Sequence, residues 1–269
     1  MIAPIEMELD PKTRIEELTK EISASRLNLW GTCRLKFYFK YVAQIQRSMT
    51  VALHVGKTVH AVLQSWNLAR WRGNAIDNED LHEGFLKSWK EIQGDGEISW
   101  KGKEDAEREG AWRLLETYLK ATPIPPNEKP EGVEVALEAD LSRYGLPNII
   151  GVIDLVRAGG RIIDFKTAGQ TPDPERVAHQ TETQLSCYAL LYREATESKE
   201  SGFELHHLVK LKKPKVVVTA LAPMNDGQQS RLFRLMESYA EGVSREDFVP
   251  SPGMHCMGCE FFNECRRWS

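Results

Sequence analysis

Residues 151–166 read Gly-Val-Ile-Asp-Leu-Val-Arg-Ala-Gly-Gly-Arg-Ile-Ile-Asp-Phe-Lys. Two apolar runs, 149–158 and 161–166, flank Gly159-Gly160, and this pattern predicts a β-hairpin. Asp164 and Lys166 are two apart on a strand, so they share a face while Phe165 points the other way. A carboxylate and a lysine at the end of an otherwise apolar strand cost free energy to bury without a task. A two-residue turn at Gly159-Gly160 would set Asp154 opposite Phe165, on the wrong face. A three-residue loop, Ala158-Gly159-Gly160, sets it opposite Asp164. The expectation is therefore the longer loop or a bulge, with glycine supplying the positive φ.

Two carboxylates facing one another repel, and a divalent cation between them resolves the repulsion. Such a cation stabilises charge on a phosphoryl oxygen, and Lys166 beside it can orient an attacking water. These are the parts for phosphodiester hydrolysis. The same residues also fit an ordinary Asp–Lys ion pair at a surface strand end.

The rest of the chain falls into place around this hairpin. Ser25 can cap a helix over 26–42. Val55, Val59, Val62, Leu63 and Trp66 recur at helical spacing, which predicts a helix over 56–72. Two more helices are predicted at 79–92 and 104–120, and the run Pro123-Ile124-Pro125-Pro126 ends the helical part. Val133, Val135, Leu137, Ala139 and Leu141 then alternate with polar residues as in a half-buried strand. A helix over 174–197, strands at 205–211 and 216–221, and a helix over 226–242 follow. This order describes an α/β (α+β) core preceded by helices. The expected divisions are a polar segment at 1–24, a helical region at 25–130, a core at 131–249 and a cysteine-rich tail at 250–269.

Of the 269 residues, 41% are hydrophobic, and the formal net charge is -4. No run approaches the roughly 18 apolar residues of a membrane span. The start, MIAPIEMELDPKTR, has no apolar signal region, so a cytoplasmic protein is expected. The mild acidity argues weakly against nucleic acid, because a local basic patch suffices for phosphate contacts. Candidate patches are Arg34, Lys36 and Lys40; Lys210, Lys212, Lys213 and Lys215; and Arg266 and Arg267. Cys256, Cys259 and Cys265 follow a C-x2-C-x5-C pattern. With Cys33 or Cys187 as a fourth thiolate they suit either zinc or an iron–sulfur cluster.

The run G-V-I-D-L…I-I-D-F-K-T resembles the core of the PD-(D/E)XK nucleases. It is most similar to the RecB-like exonuclease branch, which includes the RecB and AddB nuclease domains and the CRISPR-associated RecB-like exonucleases. Gly56-Lys-Thr-Val-His60 matches that branch's metal-ligating histidine, and Gln184-Leu-Ser-Cys-Tyr188 matches its Q-x-x-x-Y. Read alone, these are a packed histidine and an amphipathic helix. The acid before x-Lys is Asp164, where many members have Glu.

The resemblance implies a restriction-endonuclease-like central mixed sheet flanked by helices, with an N-terminal helical insertion and a C-terminal cluster-bound tail. It implies Mg²⁺ or Mn²⁺ on His60, Asp154, Asp164 and the backbone carbonyl of Phe165. Lys166 would orient water, and Gln184 and Tyr188 would position the strand. Cys33, Cys256, Cys259 and Cys265 would hold a 4Fe–4S cluster. Glu138 would be an additional acid outside the metal's own ligands. Trp30 or Tyr38 would stack on bases, and the basic segments would hold phosphates. The implied function is a DNA exonuclease acting on single-stranded ends, with protein partners in DNA repair, recombination or CRISPR-type defence. The other reading is a DNA- or partner-binding module of such a complex with little nuclease activity. No G-x-x-x-x-G-K-[ST] loop occurs in these residues.

Overall fold

The computed structural model describes residues 10–94, 97–125 and 127–268. Residues 1–9, which open the polar start, and Pro126 lie outside the described residues. The contacts divide the chain into two units that do not follow chain order. One comprises residues up to Arg47, Glu138–Gly151 and Asn225 onward; the other comprises Ser48–Leu137 and Val152–Met224.

In the first unit, α1 (Pro11–Lys20) leads into a short strand β1 (Glu21–Ser23), then α2 (Ala24–Thr32) and α3 (Arg34–Phe37). The cap of α2 is Ser23, whose hydroxyl accepts from the Arg26 N–H, and not Ser25 as expected. The predicted single helix over 26–42 is also interrupted. Cys33 is extended (φ -162, ψ 112), and a π-turn occupies Tyr38–Val42. β1, which the sequence reading missed, pairs in parallel with the start of β3 (Asn148–Arg157), Ile22 facing Ile149. A three-residue strand is too short to show an alternating pattern.

In the second unit, α4 (Val51–Arg72) starts five residues before the predicted helix. Thr50 caps it by accepting from the Leu53 N–H at 3.2 Å. Helices α5 (Asn78–Gln93) and α6 (Glu104–Ala121) follow. Strand β2 (Gly132–Ala139) pairs with β3. β3 pairs antiparallel with β4 (Arg161–Ala168), β4 parallel with β5 (Gly202–Val209), and β5 antiparallel with β6 (Lys215–Leu221). The sheet is thus mixed, as expected. Both faces are covered. Val59, Leu63, Phe85 and Leu115 of α4–α6 pack on Leu155, Ile163 and Phe165, while Leu185, Tyr188 and Ala189 of α7 (Pro174–Thr196) pack on Val156, Ile162 and Leu205.

The first unit continues with α8 (Asp226–Ser244), whose Leu232, Met236, Tyr239 and Val243 are buried. Trp30 lies directly on Gly242, where a Cβ would collide with the indole ring. A short 3-10 turn (Met254–Gly258) and α9 (Phe262–Cys265) complete the tail. Among the described residues, no helix is long and apolar enough to cross a membrane.

Candidate active site

The hairpin has the three-residue loop that the aspartate geometry demands. Arg157 faces Arg161, Val156 faces Ile162 and Leu155 faces Ile163, so Ala158-Gly159-Gly160 forms the turn. Gly159 and Gly160 both take positive φ, 81 and 70. One step further along this register Asp154 stands opposite Asp164. Both side chains are buried, Asp164 with 1% of its surface exposed.

Burial pushes the Asp164 carboxyl above the ordinary carboxylate range, Lys166 opposes the shift, and Asp154 adds to it. Lys166 Nζ donates to Asp164 Oδ1 at 2.9 Å and to Gln184 Oε1 at 3.0 Å. Gln184 Nε2 donates to Asp164 Oδ1 and lies 2.8 Å from the Tyr188 hydroxyl. Gln184 and Tyr188 share one face of α7, as their spacing predicts. They are turned inward, where Gln184 clamps the Asp164–Lys166 pair and Tyr188 backs Gln184.

On the α4 side, His60 Nε2 donates to the Phe165 carbonyl at 2.8 Å. A carbonyl only accepts, so this bond places the proton on Nε2 and leaves the Nδ1 lone pair free. Nδ1 faces Asp154 Oδ2 at 3.6 Å. A third acid joins them, and sequence reasoning missed it. Potential ligand atoms of His60, Glu134 and Asp154 all lie within 4.8 Å of one another. Burial pushes the Glu134 carboxyl up to about 7, Asp154 adds to the rise, and His60 opposes it.

Glu134 sits on the polar side of the alternation in β2, so its spacing reads as solvent-facing. A positive φ of 48 at Glu134 breaks the strand's regular conformation. Such local distortion is tolerated where the surroundings fix it, commonly at functional sites. Glu138, the acid named from sequence, instead accepts from Asn148 Nδ2 at 3.0 Å and is exposed.

Crowded carboxylates beside a histidine form a donor set that suits a hard divalent cation. The fit is good for Mg²⁺ or Mn²⁺. Asp164 does not join the tight His60–Glu134–Asp154 group, because Lys166 and Gln184 hold its carboxylate.

Within the first unit, Cys33, Cys256, Cys259 and Cys265 line one pocket with Phe39 and Phe261. None forms a disulfide. The Cys265 thiol is raised by burial and then by Cys33, Cys259 and Cys256, so the four face each other. Their segments are also tied together. Leu35 N–H donates to the Val249 carbonyl at 3.1 Å, Lys36 pairs with Glu260 at 2.8 Å, and Arg47 pairs with Glu264 at 2.6 Å. Cys187 is fully buried and its thiol is pushed up to about 12 by burial, which makes it a packing residue.

One expectation about DNA contacts is overturned. Trp30 is 2% exposed and packs edge-on against Phe37, Tyr239 and Phe248, so no base can reach it. Tyr38 is half-buried, its ring tilted against Trp268 and Phe248. Several of the expected phosphate-holding cations are engaged at home: Arg34 with Asp247, Lys36 with Glu260 and Lys210 with Glu107. Lys212, Lys213 and Lys215 remain exposed.

A mixed sheet covered on both faces, with facing aspartates, a clamped lysine and a histidine at one strand end, has the layout of a nuclease. The model of the PD-(D/E)XK nuclease superfamily matches residues 21–266, and the chain belongs to that family. It is 26% identical over 209 residues to a subunit of the ATP-dependent helicase/deoxyribonuclease of Carboxydothermus hydrogenoformans. That match takes in 68% of this chain but 19% of the relative, so the chain spans about a fifth of that protein's length. The fold is similar to the crystal structure of a candidate exonuclease from Eubacterium rectale, with a TM-score of 0.57 and 17% identity. The superposition covers 98% of this chain and 94% of that one.

Proposed function

We propose that this nuclease is a divalent-metal-dependent DNA exonuclease working from single-stranded ends, with a 4Fe–4S cluster on Cys33, Cys256, Cys259 and Cys265. The observation that carries the catalytic part is the three-residue hairpin loop, which sets Asp154 against Asp164 with Lys166 clamped beside them. Asp154, His60 and Glu134, with Asp164 alongside, would hold Mg²⁺ or Mn²⁺; the Phe165 carbonyl, taken by His60 Nε2, would anchor the histidine from outside the ligand set. When bound, the cation supplies charge stabilisation at the phosphoryl oxygens.

The chain's own residues do the rest. Lys166 orients the attacking water and neutralises charge on the phosphate. Gln184 fixes the Lys166 ammonium, and Tyr188 fixes Gln184. His60, anchored on Phe165, keeps its free nitrogen toward the acids.

The cluster part rests on the convergence of four free thiols in one pocket. Iron is preferred over zinc here because the C-x2-C-x5-C pattern with Cys33 upstream resembles the cluster-bearing branch. The cluster's role would be to staple the tail to α2 and α3. Partners in DNA repair, recombination or CRISPR-type defence remain part of this proposal, supported by the likeness to a helicase/deoxyribonuclease subunit.

The test is protein purified without oxygen and incubated with Mn²⁺ and single strands, linear or circular. Loss of the linear strand with the circular one spared is expected. The Lys166→Ala variant should fold and cleave nothing; full metal-dependent cleavage by that variant overturns the assignment.

A further inference from the structure

Glu134 and His60 open onto a cleft whose one wall is α4 and whose other is the end of β4. Gly56 makes the close approach: a Cβ there would lie 3.5 Å from the Thr167 hydroxyl. Leu53, Lys57, His60 and Gln64 line this wall. They recur at helical spacing, so they form one stripe about 16 Å long at 1.5 Å per residue.

The stripe is chemically graded. Leu53 is 51% exposed, an apolar side chain at one end. His60 reaches the acids in the middle, and Gln64 offers a neutral amide at the other end.

Lys57 stands one turn before His60. It is exposed and has no ion-pair or hydrogen-bond partner among the described residues. The other lysine of the cleft, Lys166, is already held by Asp164 and Gln184. Among the described residues lining the cleft, Lys57 is therefore the cation left free beside the reacting centre, where carboxylates would otherwise repel a phosphate backbone.

We infer that one strand of the nucleic-acid substrate runs along α4 from Leu53 to Gln64, with Lys57 binding a backbone phosphate next to the scissile one. This rests on the nuclease reading and deepens it by assigning the substrate's path. Leu53 lies under a base or sugar at the entry, and Gln64 hydrogen-bonds the backbone beyond the acids. Phosphate contacts of this kind set position and affinity without reading sequence.

The test separates the path from the chemistry. Binding of a fluorescent single-stranded oligonucleotide is measured by anisotropy across a salt series in the Lys166→Ala background, which does not cleave. Adding Lys57→Ala should weaken binding about fivefold at low salt and flatten the log–log salt slope by about 0.7, the share of one phosphate on a single strand. Lys57→Arg should restore both. A purely structural lysine would not move the slope.

Unchanged affinity and slope in Lys57→Ala, or an effect confined to a duplex of the same length, overturns the assigned path. Absence of Mn²⁺-dependent cleavage by the unaltered protein would instead sink the nuclease reading, and the binding series would still decide on Lys57.

Discussion

Asp154 Oδ2 accepts the backbone N–H of Phe165 at 2.9 Å, from the strand next to its own. The β3–β4 pairing runs from Arg157 and Arg161 to Leu155 and Ile163, and there the carboxylate takes over. A charged acceptor on a backbone donor is among the stronger hydrogen bonds and fixes the side chain's direction. The carbonyl of the same residue is claimed by His60. Phe165 is thus the frame on which two site residues are mounted, with its ring anchored in the core against Tyr118.

This double use of Asp154 predicts a split between two substitutions. Asp154→Asn keeps an oxygen that can accept from Phe165 but loses the charge. Cleavage should fall about a thousandfold, while stability in urea changes by less than about 1 kcal/mol. Asp154→Ala should lose cleavage equally and also cost on the order of 2 kcal/mol, because a buried N–H is left unpaired. Equal stability of the two variants would show that the hydrogen bond carries no weight.

The acids Glu134 and Glu138 lie four residues apart on β2, and they should behave oppositely. Glu134→Gln removes one of the three groups gathered around His60 and should weaken Mn²⁺ binding roughly ten- to hundredfold. Glu138→Gln should leave it unchanged, since Glu138 is exposed and bonded to Asn148. Calorimetric titration of Mn²⁺ checks both. A metal affinity that follows Glu138 would place the site wrongly.

Glu134 also marks how far the residues alone could be read. The hairpin was legible because two independent demands met: Asp154 and Asp164 must share a face, and Gly159-Gly160 permits the loop length that allows it. Lys166 shares a face with Asp164 by the strand period, whereas Gln184 and Tyr188 came through the family resemblance, the helix period giving only their shared face. Glu134 was not, because a positive φ inside a strand breaks the two-residue period on which such readings depend. β1 was hidden for a different reason. Its three residues gain their place by pairing with the start of β3, and that long-range contact leaves no local pattern. Trp30 and the cap of α2 were misread for want of packing information. Trp30 as a base platform and Trp30 as a core residue look alike until Gly242 is seen beneath it.

Acid should destabilise the second unit through Arg157. This guanidinium bridges Glu128 at 2.6 Å and Glu204 at 3.1 Å. Glu128 is held below the usual carboxylate range chiefly by Arg157, and Glu204 chiefly by His206. Depressed carboxyls bind fewer protons folded than unfolded. Their contribution is therefore complete above the unfolded value of about 4.3 and is lost as pH falls through the lower folded values. Arg157→Met strands Glu128 half-buried, while Glu204 keeps His206 and Arg161, and should cost on the order of 3 kcal/mol at neutral pH. In that variant the sign of the dependence from Glu128 reverses: the stranded carboxyl is easier to protonate folded, so acidification from neutrality recovers stability. Urea midpoints measured from pH 7 to 4 separate the cases, and parallel curves for the two proteins would remove Arg157 from the account.

The cysteines allow a test in which position matters more than residue type. Cys33 and Cys187 are both buried, and both lie on or beside helices. Cys33 faces three other thiols, whereas Cys187 is fully enclosed and meets none of them. Cys33→Ser should abolish bound iron and the broad absorbance near 400 nm expected of thiolate-bound iron. It should also lower the melting temperature, because the tie between this segment and the tail then rests on contacts such as Lys36–Glu260, Arg47–Glu264, the Leu35–Val249 hydrogen bond and Phe39 packed on Phe261. Manganese binding at His60 and Asp154 should persist, since those ligands belong to the other unit. Cys187→Ser should keep the iron and the absorbance and lose about 1–3 kcal/mol, the cost of burying a hydroxyl in an apolar site. Iron retained by Cys33→Ser but lost from Cys187→Ser would move the fourth ligand to α7 and overturn the assignment of Cys33.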